Sequence, residues 1–223
     1  METNMKALLI GASGLTGGHC LRLLLKDYFY KEVEIWVRKS TGIVHPKLIE
    51  KIIDFNAIET IGNTDAQHVF CCLGTTIKKA GSQQNFYKAD HDYVITVAEM
   101  AARSVAEKFV YISSIGANSN SGNFYLRTKG KVEEDLKKVC KNGLIILRPS
   151  MLMGKRQEFR FGELMGKGFM KVFGFLFIGS MKKYRGIDAA KVAEAMVLCA
   201  KSTKSGIITM ESDQILETLN NHK

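Results

Sequence analysis

Residues 7–18 read Ala-Leu-Leu-Ile-Gly-Ala-Ser-Gly-Leu-Thr-Gly-Gly, an order that few folds accommodate. Four apolar residues run straight into glycines at Gly11, Gly14 and Gly17, and the stretch through Lys26 has helical character. A buried strand, a glycine turn and a helix N-terminus together make a cradle for phosphate. Gly11 suits the tight turn, Gly14 a close backbone approach to a pyrophosphate, and Gly17 close packing of helix on strand. The spacing is G-x-x-G-x-x-G rather than G-x-G-x-x-G, so the flanking strand and helix carry the assignment. The competing reading is a glycine-rich loop with no ligand. A P-loop is disfavoured, because no Gly-Lys-Ser/Thr follows.

The rest of the chain is consistent with that start. Its 223 residues suffice for a large core and are expected to form one domain, 1–223. A net charge of +10 favours anionic partners, among them phosphorylated cofactors, nucleic acid and acidic membrane surfaces. The five cysteines are scattered and include no C-x-x-C, and the five histidines are isolated, so no metal centre is expected. Scattered cysteines, no signal peptide before the first strand and no membrane-length apolar run lead to the expectation of a cytoplasmic protein.

Strand and helix patterns then alternate. A strand over 6–10 and a helix over 16–27 lead to a second strand over 32–37, which ends at Arg38 and Lys39. An NAD site places an acidic residue there for the ribose 2′-hydroxyl. Two cations instead suit a 2′-phosphate, so the expected cofactor is NADP. A third strand over 50–53 ends at Asp54, which reads either as an adenine contact or as an ordinary strand-end turn. A fourth strand over 67–73 is followed by Gly74. Residues 78–84 read as loop and 86–106 as one long helix, with His91 on its surface. A fifth strand over 108–112 ends at Ser113 and Ser114, a helix is expected over 124–140, and a sixth strand over 143–147 stops at Arg148-Pro149. This alternation predicts an α/β fold, a doubly wound parallel sheet of the Rossmann type.

Residues 151–185 differ in character, mixing eight Lys and Arg residues with six phenylalanines. Such a mixture could bind lipid headgroups or nucleic acid. The favoured reading is a small substrate-side cap whose aromatics pack on the sheet. A helix over 188–201 with Asp188 as N-cap, a strand over 206–210 and a terminal helix over 212–221 complete the pattern.

Tyr125 and Lys129 stand four apart at the start of the predicted 124–140 helix, on one face. A lysine ammonium beside a tyrosine favours the phenolate, so the pair reads as a general acid with its activating cation. Y-x-x-x-K alone is a weak signal. Here it follows the fifth strand of a dinucleotide-type chain and has Ser113-Ser114 upstream. Gly130 is unusual inside a helix, where it costs about 1 kcal/mol relative to alanine, and suggests close packing against a neighbour.

These stretches, with Phe70 to Thr76, Leu147 to Pro149 and Arg156 to Glu158, resemble the atypical short-chain dehydrogenase/reductases, and more narrowly the Tat-interacting-protein-like oxidoreductases. The resemblance implies that Gly11, Ser13, Gly14, Leu15 and Thr16 hold the NADP pyrophosphate. It implies that Arg38 and Lys39 hold the 2′-phosphate, and that Leu73 and Gly74 line the adenosine side. Leu152 and Arg160 match later cofactor contacts. Tyr125 and Lys129 match the catalytic pair, and Ser114 matches the substrate-orienting serine better than Ser113. The implied activity is NADP-dependent reduction of a small carbonyl, or oxidation of the alcohol. An NADP-binding redox sensor without turnover and a sugar-nucleotide epimerase are the alternatives.

Overall fold

The computed structural model describes residues 4–154 and 185–222. Most of the basic, aromatic segment over 151–185, Arg160 included, lies outside the described residues. In chain order the elements are β1 (Met5–Ile10), α1 (Leu15–Lys26), β2 (Tyr30–Val37), β3 (Leu48–Ile52), a 3-10 turn (Phe55–Ile61) and β4 (His68–Cys71). Next come α2 (Ile77–Ala80), α3 (Gln83–Tyr87), a π turn (Lys88–Asp92), α4 (Tyr93–Ala102), β5 (Lys108–Ile112), α5 (Phe124–Val139) and β6 (Leu144–Arg148). The remainder is β7 (Leu152–Met153), β8 (Ile187–Asp188), α6 (Ala189–Ala200), β9 (Ile207–Glu211) and α7 (Ser212–Asn220).

Seven strands form one sheet in the order β3-β2-β1-β4-β5-β6-β9, every neighbouring pair parallel. This is the expected doubly wound sheet. β1 shows why the strands read as continuous apolar runs. Ala7 and Leu9 pack on one face with Leu21 and Leu24 of α1 and Val192 and Met196 of α6. Leu8 and Ile10 pack on the other with Val94 and Val97 of α4 and Val132 and Leu136 of α5. A strand buried on both sides has no polar face to show. The chain leaves β1 towards β2 and β3 on one side and returns to β4 on the other. Between the carboxyl ends of β1 and β4 the loops diverge, where doubly wound sheets open a binding crevice.

Two expected boundaries change. Residues 78–84 are not loop but carry α2 and the start of α3, capped by Thr76 and Ser82, whose side chains accept from Lys79 N and Asn85 N. The long helix expected over 86–106 is interrupted by the π turn at 88–92 and ends at Ala102. That turn buries Asp90 completely, for a reason that lies in the site.

At the amino end of the sheet, His68 is buried and its Nδ1 lies 2.8 Å from Tyr30 Oη. Burial, reinforced by the charge of Lys108, pulls the imidazole down to about 4. In the unfolded chain it titrates near 6.5. Its contribution to stability is therefore complete above pH 6.5 and lost as the pH falls towards 4, where folding must exclude a proton that the unfolded chain binds. The expected loss is about 3 kcal/mol. Urea unfolding at pH 7 and pH 4 checks this against a His68→Leu variant. The wild type should lose more stability than the variant by that amount, and equal losses would refute the assignment.

Candidate active site

A cavity of about 300 Å³ opens at the carboxyl ends of β1, β4, β5 and β6. Its floor is the glycine turn. Gly11 has φ +85°, and a Cβ there would lie 2.6 Å from the backbone carbonyl of Cys72, so only glycine fits between β1 and the strand beside it. The turn delivers the N-terminus of α1 to the cavity. Gly14 is its N-cap, no side chain caps it, and the first turn holds no acidic residue. The N–H groups and the positive end of the helix dipole are thus available to an anion.

Ser13, Gly14, Leu15, Thr16 and Gly17 line this end. Arg38, exposed at the end of β2, lines it too, whereas Lys39 is exposed but outside the wall. Leu73 and Gly74 after β4 form the adjoining wall, and Leu152 closes the far side. Asp54 is outside the cavity wall. Its Oδ1 accepts from Asn56 N at 2.9 Å and from Asn56 Nδ2 at 3.0 Å, capping the 3-10 turn. Asp54 thus makes a strand-end turn.

Opposite the glycine turn stand Ser113, Ser114, Tyr125 and Lys129. Asn123 caps α5 by accepting from Leu126 N at 3.1 Å, which sets Tyr125 in the first helical turn. The ring of Tyr125 rests on Phe86 with centroids 5.9 Å apart, and the residue is half-buried. Gly130 lets the helix sit close. A Cβ there would fall 2.2 Å from backbone atoms of Asn118 and Ser119. The expected close neighbour exists, but it is the loop before α5 rather than another helix.

The two serines differ sharply. The Ser113 hydroxyl donates to Glu133 Oε1, and Glu133 is buried and held by Arg148, with Nε 2.9 Å from Oε1 and Nη2 2.5 Å from Oε2. The Ser114 hydroxyl makes only a 3.3 Å bond, to the carbonyl of Ile115, among the described residues. Ser113 is occupied by the scaffold, and Ser114 has a hydroxyl to offer.

Lys129 is buried, its Nζ donating to Tyr111 Oη at 3.0 Å and lying 3.0 Å from Asp90 Oδ1. The second contact is an ion pair outside hydrogen-bond geometry, since Asp90 Oδ1 has no hydrogen bond among the described residues. Asp90 Oδ2 accepts from Thr75 N at 2.7 Å. Burial alone would pull Lys129 down, but Asp90 and then Tyr111 and Tyr125 outweigh it, and the ammonium is held above its ordinary value. Burial pushes the Tyr111 phenol up despite Lys129. Tyr125, Lys129 and Glu133 thus occupy successive turns of one face of α5. One looks into the cavity, and the next two are tied to Asp90 and Arg148.

Sequence reasoning missed Asp90 and Tyr111, which stand behind Lys129, and Lys79, which lines the cavity. Only Lys79 carried a local signal, the Thr76-x-x-Lys79 cap that brings it round.

The fold and crevice define a dinucleotide-binding protein of the doubly wound class. The sequence profile of the NAD dependent epimerase/dehydratase family matches residues 7–204, and the chain belongs to that family. Rat Protein HTATIP2 is 33% identical over 178 residues, covering 78% of this chain and 72% of that protein. Candida glabrata Protein FMP52, mitochondrial, is 30% identical over 230 residues, covering 97% of each. Among solved structures, a UDP-N-acetylglucosamine 4-epimerase from Methanobrevibacter ruminantium, in complex with UDP-N-acetylmuramic acid, superposes with a TM-score of 0.67. It is 17% identical and covers 94% of this chain and 77% of its own. Human epimerase family protein SDR39U1 with NADPH has a TM-score of 0.62 at 14% identity, covering 93% of this chain and 74% of its own. The last two show the shared fold.

The relatives correct one expectation. The cytoplasmic assignment rested on missing signals. The FMP52 relatives of Candida glabrata, Aspergillus niger and Scheffersomyces stipitis are mitochondrial proteins by name, which overturns it. No helix among the described residues is long and apolar enough to cross a membrane.

Proposed function

We propose that this chain is an NADP-dependent oxidoreductase acting on a small carbonyl or alcohol. The observation that carries the reading is one cavity lined by the uncapped α1 N-terminus, Arg38, Ser114, Tyr125 and Lys129. The residues suit the cofactor. Backbone N–H groups of residues 15–17 would receive the pyrophosphate, and Arg38 would pair with the 2′-phosphate. Leu73, Gly74 and Leu152 would contact the remainder, and Lys129 would hold ribose hydroxyls. Bound there, the dinucleotide supplies or accepts hydride at its nicotinamide ring. In reduction Ser114 donates a hydrogen bond to the substrate carbonyl oxygen. Tyr125 Oη gives that oxygen its proton as the carbonyl carbon becomes tetrahedral. Ser113 is held by Glu133 and serves the scaffold.

Arg38 tests the cofactor choice. Arg38→Ala should weaken NADPH binding about tenfold, roughly the worth of one charge-assisted contact, and leave NADH binding unchanged. Fluorescence titration with both nucleotides measures it. An equal effect on the two would sink the 2′-phosphate assignment. Oxidation of NADPH with a panel of aldehydes, ketones and quinones tests the reaction class.

A second reading, an NADP-binding redox sensor without turnover, draws support from Lys129, whose hydrogen bond goes to Tyr111 and whose ion pair goes to Asp90. NADPH binding with no turnover on any member of the panel would favour it.

A further inference from the structure

One acidic residue lies behind the site, inside a helix, with no role in the sequence reading. Asp90 is fully buried. It is set inward by the π turn Lys88–Asp92, a local widening of the helix that often accompanies functional positions. A lone buried carboxylate is strongly unfavourable, and this one spans two walls of the cavity. Oδ2 accepts the N–H of Thr75 on the loop after β4, and Oδ1 lies 3.0 Å from the Lys129 ammonium on α5. Both Thr75 and Lys129 line the cavity.

An ammonium has three N–H donors. In Lys129 one goes to Tyr111, and the Asp90 carboxylate holds the ammonium by an ion pair at 3.0 Å, so donor capacity remains for a ligand. The titratable groups around Lys129 are Asp90 from the π turn, Tyr111 from β5, Tyr125 from its own helix and Cys71 from β4. Asp90 is the one carboxylate among them.

We propose that Asp90 is a positioning residue. Its carboxylate clamps Thr75 to Lys129, holds the Lys129 ammonium at the cavity wall and compensates the lysine charge before any cofactor arrives. The proposal rests on the oxidoreductase reading for its purpose, but the clamp itself is a property of the free protein.

The test uses the full-length protein and reads Lys129 directly. Lysine 13Cε resonances are followed by NMR between pH 6 and pH 11, with Lys129 assigned from a Lys129→Gln variant. In the wild type Lys129 should hold its proton throughout. In Asp90→Asn, which keeps the shape but removes the charge, the resonance should titrate within that window. Wild-type titration like that of a surface lysine, or an unchanged Asp90→Asn profile, overturns the proposal.

If Asp90→Asn does not fold, the double variant Asp90→Asn/Lys129→Gln decides. It should melt above either single variant, because neither partner is then left buried alone, and a double variant no better than the singles overturns the pairing. NADPH titration separates the two layers. Failure of the wild type to bind NADPH would remove the oxidoreductase reading and leave the clamp to stand or fall on the NMR result. With binding intact, Asp90→Asn should weaken it about tenfold. Unchanged affinity would remove the role assigned to the clamp in cofactor binding.

Discussion

Tyr125→Phe is expected to lower turnover by at least 100-fold while NADPH binds as it does to the wild type. The substitution removes one oxygen and leaves the ring on Phe86. The packing of α5 and the Lys129 contacts to Tyr111 and Asp90 should persist. What disappears is the proton donor, and positioned acids of this kind contribute roughly 10²–10⁴-fold. The check is NADPH oxidation with whichever carbonyl from the panel the wild type reduces, beside a fluorescence titration of NADPH. A variant turning over at the wild-type rate would remove Tyr125 from the chemistry. Weak NADPH binding in the variant would instead assign Tyr125 to the cofactor.

Gly11→Ala is expected to destabilise the fold by about 2–5 kcal/mol. Two effects add. A φ of +85° is strained for any residue with a side chain, which costs about 1–3 kcal/mol. The new methyl would also press on the carbonyl of Cys72 at 2.6 Å, and overpacking against backbone costs a similar amount. The nearest relief is to push β1 away from the chain leaving β4, which would open the cavity floor. Urea unfolding measures the first consequence and NADPH titration the second. A variant within about 0.5 kcal/mol of the wild type would show that the turn relaxes freely.

The legible parts of this protein are those whose partners are close in sequence or whose environment is uniform. Strands buried on both faces appear as apolar runs, and all seven sheet strands were placed to within two residues at both ends. The glycine turn is legible because Gly11, Gly14 and Gly17 act within a single loop. The place of Arg38 at the cavity is legible because the end of the second strand lies beside the crevice in doubly wound sheets.

Asp90 was not legible. Its partner Lys129 is far along the chain, and in a helical projection it is one more polar residue among Lys88, His91 and Asp92. The π turn that buries it leaves no compositional trace. His91, read as a surface residue, is half-buried, stacked on Tyr87 at 4.5 Å and bonded to Asp135 of α5 at 3.1 Å. The choice between Ser113 and Ser114 also needed Glu133 and Arg148, which the sequence places on two later elements. Local pattern locates a site, but which of two adjacent side chains is available depends on distant neighbours.

The stripe of Tyr125, Lys129 and Glu133 keys α5 like a shaft in its housing. A quarter-turn of the helix about its axis would break the ties to Asp90 and Arg148 together, and a slide along it would drive Gly130 into the loop beneath. The helix therefore has a single seat, and Tyr125, which it carries, cannot be re-aimed to suit a new ligand. Diversity among chains with this arrangement should accumulate across the cavity instead, along the wall that begins at Pro149 and runs through Leu152.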